Sequence, residues 1–263
     1  MRGILISAAA AIALAFGVVD CSTPVQTPLK TKPASALRIG TYNVHYIILS
    51  KETGSWSVGD WDRRKAPMDA AFKTLNVDII GFQEMESFAG RAATDTNLTL
   101  SYLLERNPEF AAAAVGDPAD FPSTQPILYR TDRLSLLDQS WFFCSDTPDV
   151  IYSRTFNGSF PAFASLVQFE DIASGESFHV VNVHFEYSSR SNRLKSAALV
   201  VDRIQPLLDA GEKVIVIGDL NARAGAQTQN ILSDAGLGFC QFRARHITLI
   251  AVQTCSARFI TSG

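Results

Sequence analysis

The spacing of apolar residues predicts an ordered region that begins near Leu37. Residues 37–46 have the β-branched and aromatic content of a strand, and residues 77–82 form a short apolar run that is typical of a buried strand. Between them, residues 62–75 place Met68 and Phe72 on one helical face. Further strands are predicted over 126–129, 134–137, 162–169, 178–185 and 214–217, and further helices over 99–106 and 192–208, the last with a kink or an end at Pro206.

The order of these elements predicts the fold class. Hairpin-like pairs of strands alternate with a few helices, without a strict βαβ rhythm and without an internal repeat. We therefore expect an α/β protein in which two packed sheets are flanked by helices within one domain.

The N-terminal segment predicts export. Arg2 is followed by an apolar run over 4–19, with a small-residue cleavage site at Ala15-Phe16-Gly17. We interpret residues 1–21 as a signal peptide and 22–36 as a linker, followed by a domain over 37–239. Cys21 offers the alternative of a lipid anchor, so the protein is expected to be secreted, periplasmic or a membrane-anchored lipoprotein. A run of about 16 apolar residues is short for a retained membrane span.

Charge and cysteine content exclude little. A formal net charge of −3 argues against a protein that coats nucleic acid through bulk positive charge, but it does not exclude a nuclease. The four cysteines, Cys21, Cys144, Cys240 and Cys255, show no CxxC spacing and have no histidine at zinc-ligand distance, which argues against a zinc site. A disulfide remains open, without named partners, and so does the oligomeric state.

Polar residues follow four of the predicted strands at the points where they end. Each has a simple structural explanation on its own: Glu84 as a solvated loop acid, His184 as a structural histidine, Asn43 and Asn221 as turn caps, and Asp219 as the start of an Asx-turn. Four such strand ends are harder to explain separately. Side chains at strand ends are fixed by the sheet, while the adjoining loops leave room for a ligand.

Taken in order, these motifs resemble a known superfamily. They are Thr41-x-Asn43-Val44, Gln83-Glu84, Asn182-x-His184 and Gly218-Asp219-x-Asn221. This series is similar to the endonuclease/exonuclease/phosphatase superfamily, which includes pancreatic-type deoxyribonucleases, inositol-polyphosphate phosphatases and sphingomyelinases. The resemblance covers roughly residues 37–239 and implies a four-layer α/β/β/α sandwich of two packed mixed sheets.

The resemblance also implies roles for the five residues. Glu84 would hold Mg²⁺, with Mn²⁺ as an alternative, because hard cations prefer oxygen ligands. Asn43 would assist at the metal or bind a phosphate oxygen, and His184 would contact the phosphate. Asp219 and Asn221 would position the attacking water, with Asp219 as the base.

The implied function is an exported, metal-dependent phosphoesterase of the nuclease or phosphatase type. Arg154 resembles an arginine that binds substrate phosphate in some relatives, although an ordinary surface arginine explains it equally well. One alternative is a non-catalytic exported binding domain that keeps the fold. Another is a sphingomyelinase-like toxin, which needs an exposed aromatic hairpin for which Trp56 and Trp61 are the only candidates. DNA, RNA, phospholipid and small phosphate esters all remain open as substrates.

The C-terminal segment departs from the superfamily pattern. Relatives end with a strand that carries an Asp-His pair, which this sequence lacks, and no acidic residue follows Asp234. We expect residues 240–263 to be an aberrant tail, missing the catalytic segment or produced by a frameshift, with a divergent natural tail as the alternative. The expected consequences are lost C-terminal strands, a tail without a specific register and impaired catalysis.

Overall fold

A computed structural model describes residues 36–88, 96–240 and 248–253. The predicted signal peptide, Cys21 and almost all of the predicted linker lie outside these ranges, as do residues 241–247 and 254–263 of the predicted tail. The helices are α1 Val58–Leu75, α2 Leu98–Arg106, α3 Arg190–Asp209 and α4 Gln227–Asp234. The strands are β1 Ile39–Asn43, β2 Ile47–Ile48, β3 Ile79–Gln83, β4 Ser87–Phe88, β5 Phe110–Ala113, β6 Ile127–Arg130, β7 Leu134–Phe143, β8 Phe163–Asp171, β9 Glu176–His184, β10 Val214–Asp219, β11 Leu237–Cys240 and β12 Thr248–Gln253.

Two mixed sheets form the centre of the fold. The first has the strand order β1-β3-β6-β5, and the second has the order β11-β12-β10-β9-β8-β7. Each contains one parallel pair, β1 with β3 and β9 with β10, among antiparallel neighbours. Strands β2 and β4 form a separate small parallel pair. Within the described part of the chain, no helix is both long and apolar enough to cross a membrane.

The helices cover the outer faces of the two sheets. Met68 and Phe72 of α1 pack in one apolar cluster with Phe82 of β3, while Val200 and Ile204 of α3 pack in another with strands of the second sheet. A third cluster lies between the sheets and contains residues of β3, β6, β8, β9 and β10. The result is four layers, helix, sheet, sheet and helix, which confirms the predicted sandwich.

Helix α1 begins four residues earlier than predicted because of its N-cap. The Ser57 side chain accepts a hydrogen bond from the backbone N–H of Asp60, which satisfies a donor that the first helical turn leaves free. The helix ends at Leu75, and the left-handed conformation of the C-cap residue Asn76 terminates it.

Strand β3 is buried on both faces, which explains its uninterrupted apolar sequence. Ile80 and Phe82 face the helices, whereas Ile79 faces the second sheet, as the two-residue period of a strand requires. A Cβ on Gly81 would lie 2.5 Å from Ile217 Cδ1 of the opposite sheet. The two sheets therefore approach closely at Gly81, next to the carboxyl end of β3.

The C-terminal strands differ from the sequence prediction. Strand β12 pairs antiparallel with β10, with Thr248 opposite Asp219, and β11 pairs with β12. The prediction of lost strands without a register was wrong for Thr248–Gln253. The segment Thr-Leu-Ile-Ala-Val has strong strand propensity, and β10 would otherwise present an edge of unpaired backbone groups.

Candidate functional site

The two parallel strand pairs end side by side. Asn43 of β1 lies opposite Gln83 of β3, and His184 of β9 lies opposite Asp219 of β10. Strands β1 and β10 are in contact, as are β3 and β9. The four strand ends that carry the sequence motifs therefore meet at one edge of the sandwich.

Gln83 and Asn182 connect the two sheets just beneath this edge. Both side chains are fully buried, and Gln83 Nε2 donates a hydrogen bond of 2.6 Å to Asn182 Oδ1. Asn182 Nδ2 donates in turn to the carbonyl oxygens of Phe82, at 2.8 Å, and Gln125, at 3.1 Å. These two motif residues thus hold the sheets together and do not face the site.

Asn182→Ala is expected to lower the free energy of unfolding by about 3 kcal/mol or more, because it leaves buried polar partners of Asn182 unpaired and opens a cavity. Urea denaturation measures the change. Ser177→Ala, at an exposed position of the same strand, is the control and should alter stability by no more than about 0.5 kcal/mol. Equal effects of the two substitutions would contradict the bridging role of Asn182.

Two carboxylates converge on the Asn43 amide. Asn43 Nδ2 donates to Glu84 Oε1 at 2.8 Å and lies 3.4 Å from Asp219 Oδ2. Asp219 Oδ1 accepts a hydrogen bond of 2.8 Å from the backbone N–H of Asn221. The Asn221 side chain donates to the carbonyl oxygen of Phe185, which fixes this turn. The site thus presents two acidic groups from different sheets to one shared space.

His45 also reaches this group, although the sequence analysis assigned it no role. Its Nδ1 lies 3.5 Å from Glu84 Oε2. The hydrogen bond with Glu84 raises the pKa of His45. Burial alone would raise the pKa of Glu84, but hydrogen bonds from His45 and Asn43 lower it. Glu84 is therefore ionised at neutral pH.

His184 lies on the opposite side of Glu84. Its Nε2 is 3.8 Å from Glu84 Oε1, and its side chain is only 12% exposed. Burial lowers the pKa of His184, against the opposing influence of Asp219, Glu84 and Glu186. The Phe160 ring packs on the imidazole with a centroid separation of 5.1 Å. His184 is thus held as a neutral ring that can donate one hydrogen bond.

Three residues of this site have a strained backbone conformation. His45, Glu84 and Asn221 have φ values of 57°, 56° and 46°, in the left-handed region that side chains other than glycine seldom adopt. Each costs on the order of 1 kcal/mol, and such residues cluster where a ligand or a reaction requires a particular side-chain placement.

A buried acid orders the loop beside His184. Glu186 is fully buried and accepts hydrogen bonds from Ser159 Oγ at 2.9 Å and from Ser188 Oγ at 2.7 Å. Burial would raise the pKa of Glu186, but hydrogen bonds from Ser188 and Ser159 lower it, so it stays ionised. Arg193 of α3 donates to the carbonyl oxygen of Glu186. This arrangement fixes the loop that carries Phe160.

A cavity of about 410 Å³, here called the first cavity, opens beside the acidic group. Its lining residues are Tyr46, Glu84, Glu86, Phe88, Thr124, Gln125, Ser159, Phe160, Pro161, Phe163, His184, Tyr187 and Asn221. Burial, and secondarily the charge of Glu84, raises the pKa of Glu86 to about 7. Arg154 is exposed and is not among these residues; its guanidinium donates to the carbonyl oxygen of Ser159 at 2.9 Å.

The donor set of the site fits a hard divalent cation. Within residues 36–88, 96–240 and 248–253, no three His, Cys, Asp or Glu side chains form a cluster that could hold a metal ion by themselves. Magnesium, however, is commonly bound through one or two carboxylates and several waters. Glu84 and Asp219 supply two carboxylates, and their mutual repulsion across Asn43 would be relieved by a cation.

Comparison with solved structures identifies proteins of the same fold. The structure matches a mannosyl-6-phosphatase from Bacteroides thetaiotaomicron with a TM-score of 0.68 and 22% identity, over 83% of this chain and 86% of that chain. An endonuclease/exonuclease/phosphatase protein from Bacteroides vulgatus matches with a TM-score of 0.68 and 20% identity, over 83% and 87% of the two chains. The human Nocturnin catalytic domain with bound sulfate matches with a TM-score of 0.55 and 15% identity, over 74% and 76%.

The sequence alone gives no such match. Neither models of protein families nor curated protein sequences match it. The structural neighbours nevertheless include endonuclease/exonuclease/phosphatase proteins, and the chain has their fold. This confirms, at the level of fold, the resemblance that the four strand-end motifs indicate.

Proposed function

We propose that this protein hydrolyses phosphate esters with the help of a divalent cation, Mg²⁺ or Mn²⁺. The observation that carries the proposal is the convergence of Glu84 and Asp219 on Asn43, with His184 3.8 Å from Glu84. Glu84 would be the principal cation ligand, assisted by Asn43. The bound cation would polarise the phosphoryl group and offset the charge that develops on it.

The protein's own side chains would share the remaining tasks. His184, held neutral by burial, would donate a hydrogen bond to a phosphate oxygen. Asp219 would orient the attacking water and accept its proton, because its other oxygen is already fixed by the Asn221 backbone. Asn221, which lines the first cavity, would help to position the water. The Bacteroides thetaiotaomicron protein of the same fold is a mannosyl-6-phosphatase, which supports a phosphate ester as the substrate.

The experiment is hydrolysis of bis-p-nitrophenyl phosphate, measured over long incubation at high protein concentration with Mg²⁺ or with EDTA. We expect slow, metal-dependent release of nitrophenol, because the sequence lacks the Asp-His pair expected from the resemblance. Removing one member of a set of catalytic residues that act as a unit lowers the reaction rate about a thousandfold or more. His184→Ala should lower the rate at least tenfold.

His179→Ala, on the same strand, is the matched control, because His179 pairs with Glu212 away from the site. His179→Ala should hydrolyse the substrate at a rate within about twofold of the wild-type rate. Cation binding without hydrolysis in any variant would instead support the non-catalytic binding domain. Hydrolysis that is unaffected by EDTA or by His184→Ala would contradict the proposal.

A further inference from the structure

A second cavity of about 440 Å³ adjoins the first. The two cavities share Glu86, Phe88 and Thr124 as lining residues, so they meet at this common wall. Beyond it, Asp117 and Tyr152 are among the residues that line the second cavity. A group attached to a phosphate in the first cavity would therefore lie next to this space.

The described residues that line the two cavities give this space an acidic character. Among their lining residues in the described part of the chain, none is lysine or arginine, whereas Glu86 and Asp117 are acidic. Burial, and secondarily the charges of Glu86 and Asp117, raises the pKa of Tyr152. Further phosphates of a nucleic acid would be repelled here.

The polar groups that remain accessible are suited to hydroxyl groups. Asn97 is already engaged within the protein, because its amide donates to the carbonyl oxygen of Met85 and its oxygen accepts from the Leu100 N–H. Asp117 uses Oδ1 to accept from the Ala119 N–H at 2.9 Å. Its second oxygen, with the carboxyl group of Glu86, provides acceptors for the hydroxyl groups of a ligand.

Aromatic rings supply the apolar part of the surface. Phe88, on the shared wall, stacks on Tyr46 with a centroid separation of 5.0 Å, and Tyr46 stacks on Trp56 at 5.8 Å. Tyr152 forms part of the wall of the second cavity. Rings that are fixed by stacking offer flat apolar faces at low entropic cost, and the C–H face of a sugar ring is complementary to such a surface.

We propose that the second cavity binds the leaving group of the substrate, and that this group is uncharged and rich in hydroxyl groups. The substrate class would then be a phosphorylated carbohydrate and not a nucleic acid. The assignment of the phosphate end rests on the proposed function, but binding of the carbohydrate part does not.

The test measures binding of maltose, an uncharged disaccharide, to the full chain without added metal. Binding is monitored by an NMR titration that observes the protein signals. Wild-type protein should bind maltose, and Asp117→Asn should weaken binding about fivefold, because a hydrogen bond to a charged acceptor becomes one to a neutral acceptor. Asparagine retains the oxygen that accepts from Ala119. Leu100→Trp, which fills the second cavity, should abolish binding, and Asp132→Asn, at an exposed turn, should not change it.

Choline and the dinucleotide dTpdT serve as competitors and should not displace maltose. The proposal is overturned if maltose does not bind, if Asp117→Asn and Leu100→Trp bind it as wild type does, or if choline or dTpdT occupies the cavity in preference to it. Maltose binding that follows the expected pattern in a protein without phosphoesterase activity would leave this inference intact and refute only the proposed function.

Discussion

Replacing Gly218 with alanine is expected to prevent stable folding. Gly218 has φ 137°, and a Cβ at this position would lie 2.0 Å from the carbonyl oxygen and 2.7 Å from the nitrogen of Val183. Val183 is its partner in the parallel pair β9–β10, so the clash cannot be relieved without separating the strands that carry His184 and Asp219. We expect a loss on the order of 5 kcal/mol, comparable to the whole stability of many domains.

Gly175→Ala provides a matched control. Gly175 also has a positive φ, 70°, but no atom lies within 4 Å of a Cβ built there. Its substitution should cost only about 1–2 kcal/mol, the conformational penalty by itself. Soluble yield and urea denaturation of both variants measure the difference. A Gly218→Ala protein that unfolds at the same urea concentration as Gly175→Ala would refute the steric argument.

The parts of the fold that sequence patterns predict are those with strong local signals. The apolar runs of β3 and β10 are buried on both faces, and the predicted positions lie within a few residues of the observed ones. Helix α4 was not predicted because its N-cap, Ala226, makes no side-chain capping bond. Strand β5 was missed because its sequence, Phe-Ala-Ala-Ala, has little strand propensity. Pairing with β6 decides its conformation.

The same distinction applies to the site. The resemblance of the strand-end motifs to the superfamily predicts that Asn43, Glu84, His184 and Asp219 share one site, and the pairing of the strands brings their ends together. The role of Glu186 was not predictable, because its partner Ser159 lies 27 residues away in a loop that has no regular pattern. The position of the His45 side chain was likewise not predictable. It depends on the positive φ of His45, which an extended strand does not have.

Glu84→Gln is expected to weaken binding of Mg²⁺ and Mn²⁺ about hundredfold. Even the loss of a group that only supports a metal ligand costs roughly 10- to 100-fold in affinity, and removal of a charged ligand should lie at the upper end. Hydrogen bonds from His45 and Asn43 keep Glu84 ionised, so its full charge is available to a cation. Glutamine has the same shape and can still accept from Asn43, which limits the effect to the lost charge.

Isothermal titration calorimetry with Mn²⁺ tests the metal site most directly. Wild-type protein, Glu84→Gln and Glu105→Gln, an exposed position on α2, should be titrated under identical conditions. The account predicts one site of equal affinity in wild type and Glu105→Gln, and an affinity about hundredfold lower in Glu84→Gln. Equal Mn²⁺ affinity in wild type and Glu84→Gln would contradict the assignment of Glu84 as the ligand and, with it, the proposed phosphoesterase site.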